Sequence, residues 1–208
     1  MHDDALSAEQ RSALRALAPT VSRGFYLAGG TGLCLRLAHR RSLDIDLFRE
    51  EPFDPERTLA DLHALGVQAE QPETTPGTLS FEVNGVPTSL MAFPYPTIHA
   101  PEAAAGVAVA SLEDIAAMKV EAIASRGARK DFVDLYFICM EGLRLAGAVA
   151  AFERRFARAN PDVGHRLKAL VYFDDAEREP ELVLLREAPW TAVRRYFEDE
   201  VRALWARG

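Results

Sequence analysis

The stretch FYLAGGTGLCLRLAHRRSLDIDLF, residues 25–48, runs from a short apolar segment through Gly29-Gly30 to two aspartates one residue apart. Asp44 and Asp46 stand among Leu43, Ile45, Leu47 and Phe48, where a buried carboxylate without a partner is costly. Residues 24–28 read as a short buried strand, 31–40 as a helix and 43–48 as a second strand. Side chains alternate along a strand, which puts Asp44 and Asp46 on one face and Leu43, Ile45 and Leu47 on the other. The apolar face accounts for the strand. The acidic face needs a cation between its two like charges. A hard divalent ion with oxygen ligands, Mg²⁺ or Mn²⁺, suits such a pair and brings substrate phosphates with it.

The glycines supply the other half of that expectation. Gly29, Gly30 and Gly32 lie between strand and helix, where bare backbone can approach a phosphate and point N–H groups at it, and Thr31 can add a hydroxyl. A ten-residue helix of about 15 Å then returns the chain so that the second strand runs beside the first. Taken singly, Asp-x-Asp also suits a solvated strand end, and Gly-Gly after a strand is a weak signal. Together, with Asp44 fourteen positions after Gly30, they resemble the signature of the nucleotidyltransferase superfold shared with polymerase beta.

Outward from this stretch, Ser7 with Gln10 predicts a capped helix that Pro19 ends. Asp54-Pro55 starts another that runs to Gly66. Thr78–Val83 and Val86–Phe93 flank Asn84-Gly85, a strong hairpin signal. A Pro-rich connector, PYPTIHAP, follows, and from Ser111 the pattern is helical: a helix from Ser111, a second over KDFVDLYFICMEGL, and segments near 147–158, 163–173 and 191–206. The expected architecture is α+β: a mixed sheet with flanking helices over residues 1–110, then a helical C-terminal region, 111–208, packed on that core and completing the active site.

Composition is globular, with 49% apolar and 26% charged residues. A net charge of −7 argues against broad, sequence-independent nucleic-acid binding. No apolar run reaches the roughly 18 residues of a membrane span, and the amino terminus is acidic and polar, so a cytoplasmic protein without membrane contact is expected. Cys34 and Cys139 fall in apolar helical patterns and are expected as reduced, buried thiols without a catalytic role. The basic clusters 39–41 and 126–130, and Arg154-Arg155 with Arg158, read as solvated helix faces. Trp190 and Trp205 are expected to pack the helical tail.

Along the helix from Ser111, Leu112, Ala116, Lys119 and Ile123 share one face, which sets Lys119 inside an apolar stripe. Either its methylenes snorkel to the edge of the core or its ammonium meets a fixed anion, a phosphate or an aspartate. Asp131 and Asp134, three apart on the next, strongly apolar helix, need partners such as Lys119, Arg129 or a metal. A carboxylate so placed can have its pKa raised and act as a general base. The alternative has Asp131 capping its helix and Asp134 pairing with an arginine.

GGTGLCLRLAHRRSLDIDLF, followed by LEDIAAMKVEAIASRGARKDFVDLYFI and by YFDDAE at 172–177, resembles the AbiEii/AbiGii toxin family of nucleotidyltransferases. The resemblance implies a bacterial enzyme that takes an NTP with Mg²⁺ or Mn²⁺ and adds a nucleotide to RNA, in characterised relatives the acceptor end of tRNA. It also implies a winged-helix regulator as antitoxin partner. Carried over, Gly29, Gly30 and Thr31 match the nucleotide-binding turn, and Asp44 and Asp46 the metal pair. Arg40 or Arg41 with Ser42 matches the lead-in that touches triphosphate, Lys119 the third motif, and Asp131 with Asp134 the fourth, where an acid acts as base. The third carboxylate of the superfold is missing: VPTSLMAF carries Ser89 at that place. Two other readings share these residues, a nucleotide- or partner-binding module without catalysis and a transferase acting on a protein or small molecule.

Overall fold

In the computed structural model, residues 1–206 are described, and the chain divides into two units, Met1–Ser111 and Leu112 onward. The first unit begins with α1 (Ala8–Ala16), held by the capping box of Ser7 and Gln10. Then come β1 (Tyr26–Leu27), α2 (Gly29–Leu37), β2 (Ile45–Arg49) and α3 (Pro55–Ala64), the last capped by Asp54. Five strands complete it: β3 (Glu70–Thr75), β4 (Thr78–Val83), β5 (Val86–Ala92), β6 (Glu102–Ala104) and β7 (Val107–Val109). They form a seven-stranded mixed sheet in the order β3-β4-β5-β2-β1-β7-β6. β2 lies parallel to β5 and antiparallel to β1, and β1 is parallel to β7.

The hairpin over Asn84-Gly85 forms as the sequence predicts, both turn residues having positive φ, with Val83 opposite Val86. Leu79, Phe81, Val83, Val86 and Leu90 alternate into the core with Leu14, Leu27, Leu35, Ile45 and Leu47. Three boundaries differ from the sequence reading. The first strand is only two residues long, and α2 starts at Gly29 and ends at Leu37. β2 begins at Ile45, so Asp44 precedes the strand and Leu43, expected on the buried face, is 80% exposed. β3, β6 and β7 were not expected. β3 is exposed at every position, so it carries none of the apolar alternation by which a strand is read.

The second unit is helical: α4 (Leu112–Arg126), α5 (Arg129–Ile138), α6 (Arg144–Arg155), α7 (Val163–Ala169), α8 (Asp174–Arg178) and α9 (Trp190–Trp205). Its core sets Phe132 against Phe173, Trp190 and Phe197, with ring centroids 5.1, 5.9 and 5.4 Å apart. Trp190 therefore packs as expected, whereas Trp205 is 52% exposed. Residues 129–155 are long and apolar enough in composition to cross a membrane, contrary to the reading from apolar runs. That run is broken at Gly142 (φ 107°) and carries the fully buried Asp131 and Asp134, as a core helix pair does. The basic cluster at its end is not a solvated face throughout, because Arg155 is buried and ion-paired with buried Asp114 at 2.7 Å.

Candidate active site

β1 delivers the chain into Gly29, whose φ of 62° favours glycine. A Cβ there would lie 2.9 Å from Asp46 Oδ2 and 3.3 Å from its Cβ. At Gly30 a Cβ would lie 2.5 Å from Ser42 Oγ and 2.7 Å from Arg40 Nη2. The absence of two side chains is thus what lets the acidic stretch close against the start of α2. Ala28 gives that helix no side-chain cap. The amides of its first turn have no acceptor within the helix, and the positive end of its dipole lies there. Such a helix start can accept an anion.

The segment before β2 is tied down residue by residue. Gln10 Nε2 donates to the Ser42 carbonyl at 2.8 Å, and Arg40 Nη1 to the Arg41 carbonyl at 2.9 Å. Ser42 Oγ donates to Asp44 Oδ1 at 3.0 Å. The Thr31 hydroxyl donates to the Asp44 carbonyl and is buried, so it serves the loop where the sequence reading offered it to phosphate. The Ala28 amide donates to the Asp46 carbonyl at 3.1 Å. Arg41 is exposed; Arg40 and Ser42 are buried. Asp44 and Asp46 are both half-buried. In register with Asp46 on β5 stands Ser89, its Oγ 3.4 Å from that of Ser80 on β4. Among the described residues no group of three or more His, Cys, Asp or Glu gathers as a metal site. Asp44 and Asp46 offer two hard oxygen donors of the kind a divalent ion takes, and a Cβ at position 29 would press on one of the two carboxylates.

In the second unit, Lys119 meets aspartates. Its Nζ lies 2.7 Å from Asp131 Oδ1 and 2.6 Å from Asp134 Oδ2, with all three side chains buried. Arg126 forks onto Asp131, Nε to Oδ2 at 2.7 Å and Nη2 to Oδ1 at 2.9 Å. Asp134 thus pairs with a lysine, and the second cation on Asp131 is Arg126, not Arg129. Burial pushes the Asp131 pKa up, but the Lys119 ammonium and the Arg126 guanidinium outweigh it and hold the carboxyl below its ordinary value. The expected rise toward neutrality is therefore corrected. Cys139 is buried and reduced, its thiol pushed up to about 11 by burial, which suits an inert role.

The sequence model of the family described as "Nucleotidyl transferase AbiEii toxin, Type IV TA system" matches residues 67–207. The chain belongs to this AbiEii family. It is a nucleotidyltransferase by that membership, although the matched span begins after Gly29–Asp46, where the case rests on geometry. Protein aq_aa25 of Aquifex aeolicus (strain VF5), of uncharacterised function, is 34% identical over 203 residues, 95% of this chain and 96% of that one. The solution structure of the antibiotic-resistance factor ANT(2'')-Ia is similar in fold, with a TM-score of 0.53, 19% identity and coverage of 74% of this chain and 97% of that one. So is a Helicobacter pylori protein assigned to the nucleotidyltransferases, with a TM-score of 0.53, 15% identity and 97% of both chains covered.

Sequence reasoning about this AbiEii chain missed Arg126. Its signal lay in RGARKD, where a glycine separates an arginine from an aspartate five positions on, a spacing that only a tight interhelical corner brings together.

Proposed function

We propose that this chain transfers a nucleotide from an NTP to a hydroxyl of RNA, tRNA above all, with Mg²⁺ or Mn²⁺ bound, as the cytoplasmic toxin of a pair whose antitoxin is a winged-helix regulator. The observation that carries the reading is the closure of Asp46 and Ser42 against the side-chain-free start of α2. Asp44 and Asp46 would hold the metal, which supplies charge neutralisation at the triphosphate. The amides at Gly29, Gly30 and Thr31 would receive the β- and γ-phosphates, with Arg41 and Ser42 adding polar contacts. The acceptor oxygen bonds to the α-phosphorus, the α–β bridging P–O bond breaks, and pyrophosphate leaves. The family resemblance gives Asp131 the acceptor proton, a role that requires its ion pairs with Lys119 and Arg126 to open, and Asp134 fixes Lys119. Alignment and charge stabilisation supply most of the acceleration.

Purified protein is incubated with each labelled NTP and total RNA, with Mg²⁺ or with chelator. Label transferred to tRNA by wild type and not by Asp46→Ala supports the reading, as does growth arrest on overexpression that the same substitution relieves. Ser89 at the third-acid position favours one competing account, a nucleotide-binding module without catalysis. That account predicts NTP binding with no label transferred.

A further inference from the structure

The YFDDAE segment has no part in the chemistry just described, yet α8 and the residue that ends it converge on one corner, that between α4 and α5. Glu179 Oε2 accepts the backbone N–H of Arg129, the first residue of α5, at 2.8 Å. Ala128, at the cap position, provides no side-chain acceptor. The Arg129 side chain turns back onto the same segment, Nε donating to the Ala176 carbonyl at 2.9 Å, while its guanidinium lies 5.1 Å from the Trp190 ring centroid. A Cβ at Gly127 (φ 60°) would sit 3.4 Å from the Cβ of Asp175, so α8 also closes over the turn itself. This corner carries Arg126 on one side and Asp131 on the other.

We propose that Glu179 is a positioning residue: by capping α5 from a distant segment, with Arg129 latched to α8 and Trp190, it fixes the corner that joins Arg126 to Asp131. The proposal rests on the assignment of Asp131 to the reaction. A cap supplied from outside the helix holds the first turn only while α8 is docked, and a carboxylate at a helix start gains from the dipole as well. Asp131 lies in that first turn, so an error in the start of α5 becomes an error in where its carboxylate points.

The test compares Glu179→Ala, Glu179→Gln and, as a control elsewhere in the same unit, Arg166→Ala, which removes the pair of Arg166 with Glu121. In Glu179→Ala, hydrogen exchange at the amides of residues 129–132 is expected to quicken roughly tenfold, and kcat to fall roughly 10- to 100-fold with KM for NTP within about twofold. Glu179→Gln keeps an acceptor oxygen and should recover most of both. Arg166→Ala should lower the melting temperature without that loss of kcat. Unchanged exchange in Glu179→Ala, or faster exchange with unchanged kcat, overturns the proposal, as does a kcat loss equalled by Arg166→Ala at matched melting temperature. Should Glu179→Ala not fold, Glu179→Gln decides: wild-type-like exchange and kcat support the cap, and loss of both overturns it. A wild-type protein that transfers nothing with any NTP or acceptor refutes the proposed function instead, and the exchange data then report the cap alone.

Discussion

The two acidic groups of this molecule are held in opposite ways. Asp44 and Asp46 are half-buried, with a hydroxyl on Asp44 and bare glycine backbone against Asp46. Asp131 and Asp134 are fully buried, and Lys119 and Arg126 match their two negative charges with two positive ones. Asp44 and Asp46 stay within reach of solvent beside a helix start that has no side-chain cap. A carboxylate sealed among its own counter-ions is set by the fold and resists change, since removing either partner leaves a charge stranded in the core. The contrast separates a pair at the edge of solvent from a cluster closed on its own counter-ions.

The sharpest way to break this contrast is Asp46→Ala. Nucleotide transfer should fall by roughly 10²–10³-fold, while the thermal melt stays within a few degrees of wild type, because the group lost is half-exposed. A large stability loss would show that Asp46 is a structural acid like those of the second unit. Lys119→Met should behave oppositely, destabilising the protein by about 3–5 kcal/mol in urea titration as two buried carboxylates lose a shared partner. Full stability in that variant would refute the sealed-cluster description.

Gly30→Ala comes next, since its methyl would lie 2.5 Å from Ser42 Oγ and 2.7 Å from Arg40 Nη2. A cost of about 1–3 kcal/mol and weaker NTP binding are expected, measured by melting with and without nucleotide and Mg²⁺. Binding as tight as wild type would mean that triphosphate does not use this turn. The smallest effect is that of acid. The Asp131 pKa lies below its unfolded value, so its ion pairs stabilise the fold above the unfolded pKa, near 3.9, and cease to do so as pH falls through the lower folded value. Urea midpoints should decline below about pH 4, and Asp131→Asn should flatten that decline.

Much of this was legible in the linear chain, and for local reasons. Ser7 with Gln10, Asp54 with Pro55, and Asn84-Gly85 each carry their structural instruction within four residues, and each forms as read. Lys119 and Asp134 were recognisable because charge inside an apolar helical stripe needs a partner. What escaped was written in no local pattern: β3 lacks apolar alternation, and Arg155 looked like a surface base until α6 packed it on Asp114.

The sequence alone determined the α+β order, the glycine turn ahead of an acid pair, and the family, because helical period, capping chemistry and motif spacing are all properties of neighbouring residues. Only the tertiary structure decided that Thr31 serves the loop, that Ser89 stands beside Asp46, and that Arg126 and Lys119 hold the Asp131 carboxyl below its ordinary pKa. Register, counter-ion choice and proton affinity depend on which distant groups arrive within a few ångströms of one another, and that is settled when strands pair and helices pack.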